Sequence, residues 1–176
     1  MKIRFIIILL FSVVIGSQSK VGTTSAQFLG IGVGARPMSM AGAFTSMIGD
    51  PSSLYWNPAS VSKVSNSQIS ILHTNWLVDT QWYYLGYINK LNSNSSFGAN
   101  LFYLDYGEEE VTTIYEPYGT DDYWSAYDLS IALYYGINLT DKFSVGGGAK
   151  YINQSIYNET ASTVALDIGV LYQNYK

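Results

Sequence analysis

From Tyr127 to Leu139 the chain alternates apolar and polar residues without a break. Tyr127, Leu129, Ile131, Leu133, Tyr135, Ile137 and Leu139 fall on one face, and Asp128, Ser130, Ala132, Tyr134, Gly136 and Asn138 on the other. A period of two belongs to a strand with one apolar and one polar face. Strands of soluble domains run about five or six residues, whereas a tilted strand crossing a bilayer takes about nine to eleven. A sheet can span hydrocarbon only when it is closed, because an open edge leaves N–H and C=O groups without partners. The pattern therefore predicts an all-β, transmembrane antiparallel β-barrel.

Comparable runs predict six strands, over residues 68–76, 81–91, 96–106, 125–139, 142–154 and 163–172. In the sixth, Val164, Leu166, Ile168, Val170 and Tyr172 oppose Ala165, Asp167 and Gly169; in the first three the facing is ambiguous. In the fifth, Gly146 to Gly148 weaken the strand and point to a bend or a close approach by a neighbour. Lys150 and Asp167 fall on the same face of neighbouring strands, where they can pair. The connections alternate in length: tight turns at 92–95 and 140–141, a long loop at 107–124, an intermediate one at 155–162. Outer-membrane barrels have short periplasmic turns and longer outer loops, which directs 107–124 outward. Bacterial single-chain barrels have at least about eight strands, so residues 67–176 are expected to supply the first strands of a larger barrel.

The N-terminus fits that destination. Lys2 and Arg4 precede the apolar stretch Phe5 to Ile15 and the small, polar residues Gly16 to Ser19. This is the form of a secretory signal peptide over residues 1–19, with cleavage before Lys20 or before Ser17. There is no Cys, which removes lipid attachment, disulfides and thiolate chemistry. Sixteen Tyr and four Trp suit the aromatic girdles of a barrel better than a soluble secreted sandwich, the alternative all-β fold. Loss of Lys2 and Arg4 with the signal leaves thirteen acidic against seven basic side chains, a charge of about −6, which disfavours nucleic acid as a partner.

Residues 20–66 carry Gly, Ser and Pro without a long strand pattern. Their core reads Gln27-Phe28-Leu29-Gly30-Ile31-Gly32-Val33-Gly34-Ala35-Arg36-Pro37, then Met40-Ala41-Gly42-Ala43-Phe44, then Asp50-Pro51-Ser52-Ser53-Leu54-Tyr55-Trp56-Asn57-Pro58-Ala59. This resembles the opening of the PorV/PorQ family of outer-membrane proteins, which are similar to FadL-type fatty-acid transporter barrels. The likeness continues through His73-Thr74-Asn75-Trp76, through Leu139 to Gly147 and through Ala165 to Gly169, and so covers nearly all of the chain beyond the signal. The sequence departs from the family pattern at Ala41 for Gly, Gly49 for an acidic residue, Ser53 for Ala and Ser60 for Gly. The resemblance implies a FadL-like barrel in the cell outer membrane with an N-terminal plug segment inside it. It also implies a part in type IX protein secretion, with exported cargo or other secretion subunits as partners.

Asp50 is placed to cap a short helix begun by Pro51, and Asn57-Pro58-Ala59 to break that helix and cap another. Asp50, Asn57, Pro58 and Ala59 make up the expected plug and lumen motif. Met38, Met40, Phe44 and Met47 offer flexible apolar surface, either filling the plug or touching a hydrophobic small molecule, as a FadL-like channel would require. Tyr115, Tyr118, Tyr123 and Trp124 equip the long loop for contact with a protein partner. Gly30, Gly32 and Gly34 lack the βαβ context of a phosphate loop, His73 is the only His, and no G-x-S-x-G elbow occurs. No catalytic residue, metal site or cofactor is expected, and the leading expectation is a non-enzymatic component of secretion.

Overall fold

The alternation folds into six strands: β1 (Gln68–Asn75), β2 (Gln81–Lys90), β3 (Ser95–Glu110), β4 (Tyr123–Asn138), β5 (Phe143–Ile156) and β6 (Glu159–Tyr172). They form one antiparallel sheet in the order β1-β2-β3-β4-β5-β6 in a computed structural model that describes residues 25–174. The expected signal peptide, and residues 20–24 after it, lie outside the described residues. Among the described residues β1 and β6 do not pair with each other, so the sheet is open, as in part of a barrel. The short connections 91–94 and 139–142 share one end of the sheet, the turn end; 76–80, 111–122 and 157–158 share the other, the loop end.

The other strand boundaries fall within about two residues of expectation, and two differ by more, each for a local reason. β3 runs to Glu110 because a bulge between Asp105 and Glu108 carries it past residue 106, where the expected strand stops. Gly107 takes φ 78° there, and its N–H donates to Asp105 Oδ1 at 2.9 Å. The expected intermediate loop 155–162 is instead a two-residue turn at Tyr157 and Asn158, with β6 starting at Glu159. Tyr157 has φ 53°, a conformation that hairpin turns usually give to Gly, Asn or Asp, so the residue type hides the turn.

The sheet is inverted relative to a soluble one. Along β4, Leu133 is 54% exposed while Ser130 and Ala132 are buried, and along β6 Leu166 and Ile168 stand exposed. On the same outward face, His73 stacks on Tyr83 at 4.7 Å, Tyr83 lies 6.2 Å from Tyr103, and Tyr103 5.8 Å from Tyr127. An aromatic path thus crosses β1 to β4. The inward face of β2 carries Trp82, Tyr84 and Ile88, all buried, so that strand is apolar on both sides and its facing is unreadable from alternation.

Residues 25–64 cover the inward face through two clusters. Toward the loop end Phe28 and Val33 pack with Trp82, Tyr84, Phe102, Leu104 and Ile152, Phe28 lying 5.6 Å from the Phe102 ring. Toward the turn end Leu54, Val61 and Val64 pack with Ile88, Ala132 and Tyr134. Lys150 and Asp167 pair at 2.8 Å, as the shared face predicts. Phe28→Ala is expected to cost about 3–5 kcal/mol, the usual loss for a buried Phe. The readout is faster proteolysis of residues 25–45 in the folded protein, with Met40→Ala, at an exposed position, leaving the rate unchanged.

Candidate functional site

The Asp50 to Ala59 stretch is built by a side-chain turn at Asp50 and a side-chain cap at Asn57; Asp50 does not cap a helix begun by Pro51 as expected, since the helix starts at Ser53, its N-cap is Ser52, and no side chain caps it. Asp50 Oδ1 accepts from Ser52 N at 2.9 Å and from Ser52 Oγ at 2.8 Å, closing the turn through Pro51 that leads into the helix Ser53–Trp56. Asn57 ends that helix in an extended conformation (φ −158°, ψ 114°), the region imposed on a residue before Pro. Its Oδ1 then accepts from Ala59 N at 2.9 Å and starts the 3-10 helix Pro58–Lys63. Trp56 Nε1 donates to Val33 O at 3.0 Å, and the Tyr55 hydroxyl donates to Leu29 O, tying the stretch back to the first part of the segment. Burial pushes the Tyr55 phenol up and keeps it a neutral donor.

The Asn57 amide holds three parts of the chain together. Its Nδ2 donates to Thr45 O at 2.9 Å and to Val170 O of β6 at 3.1 Å. Gln173 N bonds Lys142 O, so by antiparallel alternation the Val170 N–H and C=O point away from β5, toward the open edge. Asn57 therefore satisfies an edge carbonyl.

Beneath Asn57-Pro58-Ala59 the sheet is bare. Gly136, Gly146 and Gly169 are register partners across β4, β5 and β6. A Cβ on Gly146 would lie 2.3 Å from Pro58 O; one on Gly169 would lie 2.2 Å from Asn57 Oδ1, and one on Gly136 2.9 Å from Ser62 N. The segment backbone rests directly on this row. Ser62 Oγ reaches Asn138 Oδ1 at 2.8 Å and Lys63 Nζ reaches Asp141 O at 2.9 Å, fastening its far end to the turn between β4 and β5. Sequence reading catches the close approach at Gly146, where three glycines stand together, but misses Gly136 and Gly169, whose only signal is an inward position in register with it.

Two departures from the family pattern meet here. Ser60 Oγ and Ser53 Oγ are hydrogen-bonded at 2.8 Å and both are buried, so the hydroxyls that replace Gly and Ala partner each other. Ala41 takes φ 52° where the pattern has Gly, and Gly49, at φ 80°, takes the place of an acidic residue.

The apolar residues singled out in the segment do not converge. Phe44 is fully buried, edge-on to Trp56 at 6.4 Å, with the Arg36 guanidinium 5.5 Å over its ring. Met38 and Met40 are both exposed, Met38 at the margin of a cavity of about 370 Å³ that Leu72, Trp76 and Trp82 also line, and Met47 is half-buried. In the long loop Tyr115 and Tyr118 are almost fully exposed; Tyr123, exposed, and Trp124, half-buried, belong to β4 instead. His73 faces outward.

Gly146→Ala is expected to lift the segment from the sheet at an overpacking cost of about 1–3 kcal/mol. Gly147→Ala, whose Cβ would find its nearest neighbour at 3.5 Å, should be tolerated. Limited proteolysis between residues 40 and 66 separates the two variants, and equal cleavage would mean that the segment does not rest on the glycine row.

No protein of curated function matches the chain. The family model described as type IX secretion system protein PorV matches residues 15–175, a span that includes the Asp50 to Ala59 stretch and all three glycines on which it rests. The chain belongs to the PorV family of type IX secretion system proteins.

Proposed function

We propose that this protein is an outer-membrane barrel component of type IX secretion that works without catalysis, meeting exported proteins or other secretion subunits at its loop end. The observation that carries the reading is the inverted sheet. An apolar face with Leu133, Leu166 and Ile168 exposed is stable against lipid and unfavourable against water. The aromatic path through Tyr83, Tyr103 and Tyr127 matches one rim of a membrane band, with Tyr87 and Tyr135 toward the other. Eight residue steps from Tyr127 to Tyr135, at about 3.3 Å each and a tilt of about 40°, cover about 20 Å of depth, close to the apolar band of such barrels. In this reading residues 25–64 are a plug, Asp50, Asn57, Pro58 and Ala59 anchor it, and Tyr115, Tyr118, Tyr123 and Trp124 present aromatic surface to a partner.

A second reading, a FadL-like path for hydrophobic small molecules, draws support from the cavity lined by Met38, Leu72, Trp76 and Trp82. Type IX membership favours the first.

Three experiments test the proposal. Leu133→Arg places a charge on the lipid face at mid-depth, costing about 2–4 kcal/mol, and should abolish membrane assembly, whereas Thr163→Arg on the inward face should assemble. Equal assembly would sink the membrane reading. Single Cys residues introduced into this Cys-free chain at Thr120 and Thr140 should react with an impermeant thiol reagent on intact cells only at Thr120. In the same cells, Tyr115→Ala with Tyr118→Ala should reduce co-purification of exported proteins.

A further inference from the structure

At the loop end the inward face opens into a cavity of about 540 Å³. Tyr106, Trp124, Ala126 and Ile156 line it, together with Asp128 and Gln154. Asp128 is only 5% exposed. Its Oδ2 accepts from the Tyr106 hydroxyl and its Oδ1 from Gln154 Nε2, both at 2.8 Å, while Gln154 Oε1 accepts from Ala26 N at 3.0 Å. A carboxylate offers about four acceptor sites, so these two donors leave capacity toward the cavity. The ion pair found among the described residues is Lys150–Asp167, so Asp128 has no counter-ion there. A buried charge without one is unfavourable, and the arrangement calls for a cation.

The surroundings select the same sign. Glu108, Glu109, Glu110, Asp121, Asp122 and Glu159 stand at this end, and no Lys or Arg occurs in residues 91–141 or 151–175. Tyr and Trp faces attract cations, and a one-signed rim draws the opposite charge inward.

We propose that this cavity receives a Lys or Arg side chain from a basic segment of a protein partner, with the apolar stem against Tyr106 and Trp124 and the head group on Asp128. The inference rests on the reading that the loop end meets other proteins, and adds the chemistry it would recognise there. The acidic rim gathers the segment and Asp128 holds one side chain of it, since charge-assisted hydrogen bonds in a desolvated site are the strong ones.

The test uses the full-length protein in detergent and fluorescent tetralysine, with fully acetylated tetralysine as the uncharged control. Tetralysine should bind and the acetylated peptide should not. Asp128→Asn, which removes the charge at nearly the same shape and exchanges one of the two acceptor oxygens for an amide donor, should weaken binding about tenfold or more through faster dissociation. Replacing Glu108, Glu109 and Glu110 by Gln should instead slow association and flatten the salt dependence. Trp124→Leu gives an independent reading should Asp128→Asn not fold, and migration of unheated samples on a gel reports folding of each variant. Wild-type affinity in Asp128→Asn and Trp124→Leu would overturn the proposal in favour of diffuse charge attraction. Because purified protein and a synthetic peptide suffice, failure here is distinguishable from failure of the secretion reading, which is read from export and co-purification in cells.

Discussion

A main chain can lie flat on a sheet only where the sheet has no side chains in its way. The row Gly136, Gly146 and Gly169 supplies that clearance, and the placement of the whole N-terminal segment follows from it. With Pro58 seated on Gly146, the Asn57 amide comes within reach of both Thr45 and Val170, and Ser62 within reach of Asn138. The two apolar clusters then close on either side of a register already determined. A Pro at position 58 is useful in that setting, since it brings no N–H that would need a partner against the bare sheet.

Cohesion in this molecule is divided between two interfaces of opposite character. Inward, the sheet offers small and polar groups to a segment that brings its own large residues, Phe28, Leu54 and Val61, and interlocks with it. Outward, the aliphatic side chains meet nothing in the protein, so their contribution depends on what surrounds it. The two buried serines, Ser53 and Ser60, illustrate how tightly the inner interface is matched: Ser60 Oγ lies 2.7 Å from Asn57 O and 2.8 Å from Ser53 Oγ, so both hydroxyls find partners out of water.

Much of the fold was legible in the sequence because alternation is a local property. β4 and β6 display their facing directly, and the Lys150–Asp167 pair follows from it. β2 did not, because Trp82, Tyr84 and Ile88 pack inward against the segment while Tyr83, Leu85 and Tyr87 point outward, leaving no polar face to mark. The turn at Tyr157 was concealed by a residue that rarely adopts positive φ. The cap at Asn57 was readable from neighbouring residues, whereas Asp50 closes a turn ahead of the helix rather than capping it, and the Asn57–Val170 bond joins positions 113 apart and has no sequence signature. Asp128 looked like one more polar member of an alternating strand; only the packing of Tyr106 and Gln154 around it reveals a buried carboxyl group.

The bond from Asn57 to Val170 has a consequence for the edge of β6. Val170 faces its carbonyl away from β5, where a strand laid alongside would expect to find it, and that carbonyl is already engaged. The next edge-facing rung lies at Ile168, two residues nearer the loop end. Whatever neighbour lies beside β6 must take its alignment from there, so one amide in the N-terminal segment acts as a stop mark on a measuring scale, fixing how far down the sheet a neighbour can slide.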